Sequence, residues 1–401
     1  MISVTKLLCG SDYFGDSLRY SQGAREQIHG AAAGHGPVVV WNTTRTCNLK
    51  CIHCYSNSDA KKYEGELTTK EALRFIDDLA EFKVPVILFS GGEPLLRRDL
   101  VKLTSYAKKK GIRPTISSNG TLISLETAMY LKNLGIGYIG VSLDGMTENN
   151  DRFRGRKGAF VAALDGIRSC IAVGQRVGLR FTINKHNYKD LNAIFDLIEE
   201  ENIPRVCFYH LVYAGRGSRM VEEDITREES RAAMDLIIER TLDFHRRGIE
   251  KEILTVDNHA DGVYIYLRLK ETDPERAAKA LELLKMNGGN RTGVAIGAVD
   301  WHGNVHPDQF TQNHTFGNVR ERKFGDIWTD MTNPVLAGLK NRSHLLKGRC
   351  AACRWLDLCN GNFRARAEAV SGDFWESDPA CYLTDEEIRL PQEINANGHE
   401  E

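Results

Sequence analysis

The sequence predicts an α/β fold in which six parallel strands form an open (βα)6 partial barrel, followed by a smaller cysteine-containing domain. Short runs rich in β-branched residues alternate with longer amphipathic runs over residues 38–211, and this order is typical of repeated βα units. Closely spaced cysteines occur twice, once after the first strand run and once near the C-terminus. These observations place the chemistry at strand ends and in a second domain.

Six runs have the length and composition of strands, and amphipathic runs separate them. Thr68 and Glu71 form a predicted capping box at the start of the first helix. Right-handed crossovers between parallel strands give a partial TIM barrel, whose active site lies at the carboxyl ends of the strands. The predicted strands are 38–41, 86–89, 113–117, 138–142, 179–183 and 205–211, and the predicted helices are 68–82, 99–110, 125–134, 159–173, 188–201, 227–247 and 274–285.

Composition indicates a globular enzyme that binds neither nucleic acid nor a membrane. The 401 residues are 42% hydrophobic and 27% charged, enough for one large and one smaller domain. The formal net charge of -1 produces no field that attracts nucleic acid or an anionic membrane, so neither is an expected partner. The chain has no long apolar run, and its first residues, MISVTKLLCG, do not resemble an export signal. We therefore expect a cytoplasmic location.

Cys47, Cys51 and Cys54 follow the first strand in a C-x3-C-x2-C spacing. A [4Fe-4S] cluster has four irons, so three thiolates leave one iron open for a ligand that is not protein. A zinc site is the alternative and would need a fourth ligand, for which His53 is the nearby choice. Disulfides are the other alternative, but they belong to exported proteins. The spacing favours an open-site iron-sulfur cluster.

With the sequence SGGEP at residues 90–94 after the second strand, this cysteine loop resembles the radical S-adenosylmethionine (SAM) superfamily. The resemblance implies that SAM binds the open iron and is cleaved reductively to methionine and a 5'-deoxyadenosyl radical. It assigns Gly91, Gly92 and Glu93 to the SAM amino group and His53 to the adenine. An ordinary glycine turn and a packed histidine are the plainer interpretations of these residues.

Polar residues also follow the later strands, where the same resemblance implies contacts to the ribose and carboxylate of SAM. Turn formation alone would also explain serine, asparagine, aspartate and glycine at such positions. Leu211 ends the sixth strand near the expected adenine edge. The candidate SAM-binding residues are Ser117, Asn119, Ser142, Asp144 and Asn184.

A second cysteine group, C-x2-C-x5-C with a later cysteine, resembles the SPASM/twitch extension of radical SAM enzymes. Four cysteines would complete an auxiliary [4Fe-4S] cluster, although tetrahedral zinc suits four thiolates as well. The full SPASM pattern has further cysteines where this chain has Asp308 and Phe363, so one auxiliary cluster is expected. The four candidate ligands are Cys350, Cys353, Cys359 and Cys381.

Basic residues near the strand ends are candidates for contact with a carboxylated substrate, and two residues near the second cysteine group are candidates for a ligand or substrate contact. A solvated surface is the plainer interpretation of both sets. Cys9, Cys170 and Cys207 have no spacing partners and are expected to be free thiols. The candidate substrate residues are Arg152, Arg154, Arg216, Arg219, His306 and Asp308.

Four longer segments resemble the radical SAM proteins that modify tetrapyrroles: MISVTKLLCGSDYFGDSLRY, VVVWNTTRTCNLKCIHCYS, HPDQF and CRWLDLCNGNFRARAEAVSGDFWESDPACYL. The resemblance implies an iron tetrapyrrole substrate and a low-potential electron donor such as a ferredoxin or flavodoxin. The expected reaction removes the acetate side chains of 12,18-didecarboxysiroheme and leaves Fe-coproporphyrin III, in siroheme-dependent haem biosynthesis. The expected domains are a lead-in (1–36), the barrel (37–215), a helical bridging segment (216–291) and the SPASM/twitch-like Fe-S domain (292–401).

Several alternatives to this reaction stay open. Related chemistry converts propionates to oxo groups in haem d1 biosynthesis or decarboxylates the propionates of Fe-coproporphyrin III. A twitch enzyme that modifies a peptide is a third possibility, and a small precursor peptide encoded nearby would favour it. An iron-sulfur electron carrier or scaffold, which would not cleave SAM, is the non-enzymatic alternative.

Overall fold

The computed structural model of the chain describes residues 1–23 and 26–389. Within these ranges one sheet runs through the molecule, and the expected domains 1–36 and 292–401 extend partly beyond them. The strands are β1 (Ile2–Ser3), β2 (Val38–Thr44), β3 (Val86–Gly91), β4 (Arg113–Ser118), β5 (Ile139–Ser142), β6 (Val177–Ile183), β7 (Arg205–His210), β8 (Glu252–Val256), β9 (Ile296–Val299), β10 (Asn304–His306) and β11 (Gly317–Asn318).

Helices cover the outer side of this sheet and build the C-terminal part of the chain. They are α1 (Val4–Cys9), α2 (Asp16–Arg19), α3 (Thr69–Glu81), α4 (Leu100–Lys109), α5 (Leu125–Leu134), α6 (Thr147–Arg154), α7 (Ala159–Ala172), α8 (Leu191–Glu200), α9 (Arg227–Arg246), α10 (Ala260–Thr272), α11 (Pro274–Asn287), α12 (Phe324–Trp328), α13 (Pro334–Lys340), α14 (Gly348–Ala351), α15 (Leu356–Cys359), α16 (Arg364–Ser371) and α17 (Asp385–Ile388).

The strand order is β1-β8-β7-β6-β5-β4-β3-β2-β9-β10-β11 among the described residues. Strands β2 to β8 are successive parallel neighbours, so the six predicted strands and their connecting helices are confirmed. The sequence did not predict β8, which lies in the segment expected to be helical. A seventh parallel strand therefore extends the barrel, and β1 pairs antiparallel with its outer edge.

The barrel sheet continues directly into the C-terminal region. Strand β9 pairs in parallel with β2 on the side opposite β3, and β10 and β11 then add antiparallel strands. The two expected domains thus share one sheet, which fixes the second cysteine group relative to the first strand of the barrel.

The first βα unit shows how the sequence builds this sheet. Helix α3 begins after Thr68, whose hydroxyl accepts from the Glu71 N–H (3.3 Å) while the Glu71 carboxylate accepts from the Thr68 N–H (2.8 Å). The predicted capping box is therefore confirmed. The buried face of α3 packs Phe75 against Trp41 of β2, with ring centroids 5.2 Å apart. Apolar packing of this kind supplies most of the stabilisation of a βα layer.

In the described ranges, none of the helices combines the length and apolar character that crossing a membrane requires.

Candidate functional site

A cavity of about 1120 Å³, its mouth included, opens at the carboxyl ends of the parallel strands. Each of six neighbouring strands contributes a residue at or just beyond its end. Because parallel strands end at the same edge, residues far apart in sequence meet here. The residues that these strands supply are Ser90, Ser117, Ser142, Thr182, Tyr209 and Asp257.

Three predicted ligands, Cys47, Cys51 and Cys54, line one wall of this cavity. Hydrogen-bond partners lie close to their sulfurs. The Leu49 N–H donates to Cys47 Sγ (3.4 Å), and Asn119 Nδ2 lies 3.8 Å from the same sulfur. Donors of this kind stabilise thiolates and tune the potential of iron-sulfur clusters.

The electrostatics of the loop fit a cationic metal group. Burial raises the pKa of the Cys47 thiol to about 12 and also raises the pKa of Cys51. These thiols stay protonated unless a cation replaces the proton. Arg154 Nη1 lies 3.6 Å from Cys51 Sγ, so part of the positive charge that thiolates need is in place. The donor set and its surroundings therefore fit an iron-sulfur cluster.

Gly91 and Gly92 let the next loop pack directly against the start of the cysteine loop. The Gly92 N–H donates to Thr44 O (2.7 Å). Gly91 has φ of +125°, and a Cβ on it would lie 2.3 Å from Thr44 O; a Cβ on Gly92 would lie 2.2 Å from Thr46 O. No side chain fits in this space, so the glycines keep backbone atoms of this loop exposed to the cavity.

Glu93 is buried beside the cavity and joins the ends of β3 and β4. Its carboxylate accepts from Ser118 Oγ (2.9 Å), the Asn119 N–H (2.8 Å) and the Leu95 N–H (3.1 Å). Burial raises the pKa of Glu93 to about 7, against the opposing effect of these donors. Glu93 does not line the cavity, so it holds Asn119 in place rather than facing a ligand.

His53, Asp144 and Arg154 form a cluster next to Cys51. Arg154 pairs with the Asp144 carboxylate, and His53 Nε2 lies 3.4 Å from the same group. Burial lowers the pKa of His53 to about 4, so the imidazole is neutral, and its buried Nδ1 has no hydrogen-bond partner among the described residues. His53 and Arg154 line the cavity, whereas Asp144 lies behind them and orients both.

A second, smaller cavity of about 440 Å³ brings the C-terminal cysteines together. All four predicted ligands, Cys350, Cys353, Cys359 and Cys381, line it. Burial raises the pKa of Cys381 to about 11 and also raises the pKa of Cys359, and the Trp355 N–H donates to Cys353 Sγ (3.4 Å). Four half-buried cysteines around one cavity suit a metal group with complete protein ligation.

Comparison with known proteins agrees with this geometry. Residues 41–198 match the Radical SAM superfamily, and residues 295–354 match SPASM, an iron-sulfur cluster-binding domain. Fe-coproporphyrin III synthase of Methanosarcina barkeri is 58% identical over 97% of this chain and 99% of the relative. The chain belongs to the radical SAM superfamily. It is a radical SAM enzyme, whose family binds SAM and a [4Fe-4S] cluster and whose SPASM domain carries auxiliary iron-sulfur clusters.

Two further matches of this radical SAM enzyme extend over most of its length. Pre-heme d1 synthase of Dinoroseobacter shibae is 42% identical over 90% of this chain and 89% of the relative. The structure of Streptococcus suis SuiB bound to S-adenosylmethionine superposes with a TM-score of 0.68 at 19% identity, covering 86% of this chain and 77% of that chain. The second match confirms the fold.

Several predicted residues of the radical SAM enzyme do not reach the main cavity. Asn184 closes the turn after β6, where its side chain accepts from the His186 N–H (2.9 Å) and donates to Thr182 O (2.9 Å). Arg152 and Arg219 are exposed. Ser117, Asn119, Ser142, Arg154, Arg216 and Leu211 do line the cavity.

His306 and Asp308 support the C-terminal domain and lie outside both cavities. The Asp308 carboxylate accepts from the Phe310 and Thr311 N–H groups (2.8 and 2.9 Å) and from the Thr292 hydroxyl (2.9 Å). His306 Nδ1 lies 2.9 Å from His314 O. Asp308 therefore stabilises a turn at the position where the resemblance expects a cysteine. Neither His306 nor Asp308 is part of the proposed site.

Sequence reasoning missed several residues that line the main cavity. Arg180, Tyr209, His210, Asp257 and Gln309 all line it. Strand alternation could have indicated Arg180. It lies two residues before Thr182, which also lines the cavity, and residues two apart on a strand point to the same side of the sheet. Asp257 gave no such signal, since the strand before it was not predicted.

Proposed function

We propose that this enzyme removes the two acetate side chains of 12,18-didecarboxysiroheme to give Fe-coproporphyrin III in siroheme-dependent haem biosynthesis. The observation that carries the proposal is the likeness to Fe-coproporphyrin III synthase over nearly the full length of both chains. The cavity supports it, since the cysteine loop and the polar strand ends line one common cavity that opens to solvent.

Cys47, Cys51 and Cys54 are proposed to hold the open-site [4Fe-4S] cluster. The cluster and SAM, when bound, supply the reductive cleavage and the hydrogen abstraction. The polar groups that line the cavity on either side of the cysteines are proposed to hold SAM: His53, Gly91, Gly92, Ser117, Asn119 and Ser142. The strand ends thus bind SAM close to the cysteine loop and leave the opposite wall to the substrate.

The other side chains orient these groups and exclude water. Asp144 positions His53 and Arg154, and Glu93 positions Asn119. Arg216 fixes the cysteine loop through a hydrogen bond from Nε to Cys51 O (2.7 Å), while its buried Nη2 has no partner within residues 1–23 and 26–389. Arg216 therefore has capacity to bind a carboxylate at the edge of the cavity.

The four C-terminal cysteines are proposed to hold one auxiliary [4Fe-4S] cluster, because their cavity is small and all four thiols face it. A low-potential ferredoxin or flavodoxin is the proposed electron donor, since reductive cleavage of SAM needs an external electron.

The test is an anaerobic reaction of the reconstituted enzyme with SAM, a low-potential reductant and 12,18-didecarboxysiroheme. We expect about two molecules of 5'-deoxyadenosine per tetrapyrrole converted, because each acetate group needs one abstraction event. The Cys51→Ala variant is expected to form neither product. Formation of 5'-deoxyadenosine with an unchanged tetrapyrrole would overturn the proposed substrate but leave the cofactor assignment intact.

Haem d1 chemistry is a second candidate, favoured by the 42% identity to pre-heme d1 synthase. It would replace propionates with oxo groups and leave the acetates in place. Product masses separate the two reactions, because loss of acetate and conversion of propionate change the tetrapyrrole mass by different amounts.

A further inference from the structure

Arg180 is a cavity-lining arginine with an incomplete set of hydrogen-bond partners among the described residues. It lies on β6 and lines the cavity beside Tyr209, whose ring centroid is 5.9 Å from the guanidinium carbon. Arg180 Nη1 donates to Ser117 Oγ (2.5 Å), and its Nε is buried without a partner. In the described part of the chain, no carboxylate forms an ion pair with Arg180.

Among the described residues, other enclosed arginines have either a carboxylate partner or several oxygen acceptors, as Arg342 and Arg364 do. Arg154 pairs with Asp144, Arg366 with Asp378 (2.8 Å) and Arg205 with Glu252 (3.4 Å). Arg180 is half-buried at the cavity wall, and enclosing part of a guanidinium with few acceptors costs hydration that a bound anion would replace. A ligand therefore explains its position better than packing does.

The backbone around Arg180 is built to admit its guanidinium. Gly140 of β5 lies on the adjacent strand, and a Cβ at that position would be 2.2 Å from Arg180 Nε. Glycine weakens strand interiors, so Gly140 has a cost that the space for Arg180 explains.

We propose that Arg180 binds a carboxylate side chain of the iron tetrapyrrole inside the barrel and so determines which edge of the macrocycle faces SAM. This inference rests on the proposed function, because it takes the tetrapyrrole as substrate. A guanidinium matches a carboxylate in shape and charge, and the unused N–H groups of Arg180 remain available for such a ligand. Its bond to Ser117 links substrate position to the predicted SAM wall.

The test compares Fe-coproporphyrin III with its tetramethyl ester, which keeps the macrocycle and removes the negative charges. Dissociation constants are measured anaerobically by optical titration of the cluster-loaded enzyme. The native enzyme should prefer the free acid, and Arg180→Met should bind it about 10- to 100-fold more weakly while its affinity for the ester stays the same. Arg176→Met is the matched control, since Arg176 is exposed four positions earlier in the chain.

Two results would overturn the proposal. Equal weakening of acid and ester would show that Arg180 shapes the cavity without binding a carboxylate. Loss of SAM affinity in the variant without tetrapyrrole would assign Arg180 to SAM instead. Thermal unfolding adds an independent test, because removing an uncompensated buried charge should leave the melting temperature unchanged or higher, and a large decrease would show a structural role.

The same experiments separate this proposal from the proposed function. If the native enzyme leaves 12,18-didecarboxysiroheme unchanged but still prefers the acid over the ester through Arg180, the carboxylate site stands and the deacetylation fails. If the native enzyme converts the substrate and Arg180→Met keeps its acid preference, the deacetylation stands and the carboxylate site fails.

Discussion

Arg366 and Asp378, both in the C-terminal domain, form a fully buried ion pair with 2.8 Å between Nη2 and Oδ2. Arg366 Nη1 also donates to Leu211 O (3.1 Å) and Nη2 to Asp257 O (2.5 Å), at the ends of β7 and β8. Asp378 lies three residues before Cys381 and accepts from the Phe363 N–H (2.8 Å). The ion pair and its hydrogen bonds thus connect the strand ends of the main cavity to the second cysteine group.

Arg366→Met should destabilise the enzyme strongly, because it leaves Asp378 charged and buried without compensation. We expect a loss of about 3 to 5 kcal/mol in the free energy of unfolding, measured by urea denaturation. Arg231→Met removes the partly exposed pair with Glu387 and should cost less than about 1 kcal/mol. Equal effects of the two substitutions would contradict this account of the domain junction.

Cys51→Ala should remove the open-site cluster and leave the auxiliary cluster. Iron analysis is expected to fall from about eight to about four atoms per chain, and 5'-deoxyadenosine formation should stop. Cys170→Ala, at a buried free thiol of α7, is the control. This variant should keep the iron content and the 5'-deoxyadenosine formation of the native enzyme. An unchanged iron content in Cys51→Ala would argue against this ligand assignment.

Cys359→Ala should remove the auxiliary cluster alone, with a loss of about four irons per chain. Uncoupled cleavage of SAM should persist, because the main cavity keeps its three cysteines. Metal analysis of the native protein decides between iron and zinc. One zinc per chain at the C-terminal cysteines would show that the second site is a zinc site.

Gly91→Ala should abolish SAM binding because its Cβ would overlap the backbone oxygen of Thr44. Gly111→Ala is the matched control: Gly111 also has a positive φ, of +84°, but its Cβ would meet no atom within 4 Å. The control should cost about 1 kcal/mol of stability through backbone strain and keep SAM affinity. Equal loss of SAM affinity in both would trace the effect to strain alone.

Asp257 should make stability depend on pH. Burial raises the pKa of Asp257 to about 7 from its ordinary 3.8, although Arg366 acts in the opposite direction. Between these values the folded protein keeps a proton that the unfolded chain releases, so stability falls as pH rises. The Asp257→Asn variant has no carboxyl group to titrate at this position. Between pH 5 and pH 8 the free energy of unfolding of the native enzyme should therefore fall by about 2 to 3 kcal/mol more than that of the variant. If the free energies of unfolding of the native enzyme and the variant changed with pH in parallel, the raised pKa of Asp257 would be contradicted.

The parallel barrel could be predicted because its strands and helices have distinct hydrophobic periods. β8 could not be predicted, since Glu252–Val256 is a short, fully buried strand between long helices and shows no alternation. Its absence from the prediction also hid Asp257, which follows it.

The cysteine spacings predicted two groups that the structure does bring to two cavities. Ser117 faces the cavity, whereas Asn184 caps a turn. Sequence pattern could not separate these two roles, because serine and asparagine occur at strand ends both as ligand-binding residues and as turn formers. Arg180 was missed because a sequence does not show which side chains pair with an arginine. Only the three-dimensional packing of the described residues shows that Arg180 has no carboxylate partner.

The most direct test of the central claim is the accurate mass of the tetrapyrrole formed from 12,18-didecarboxysiroheme, SAM and reductant under anaerobic conditions. The account predicts the mass of Fe-coproporphyrin III, with both acetate groups lost and all propionates kept. A product that keeps its acetates and has altered propionates would contradict it.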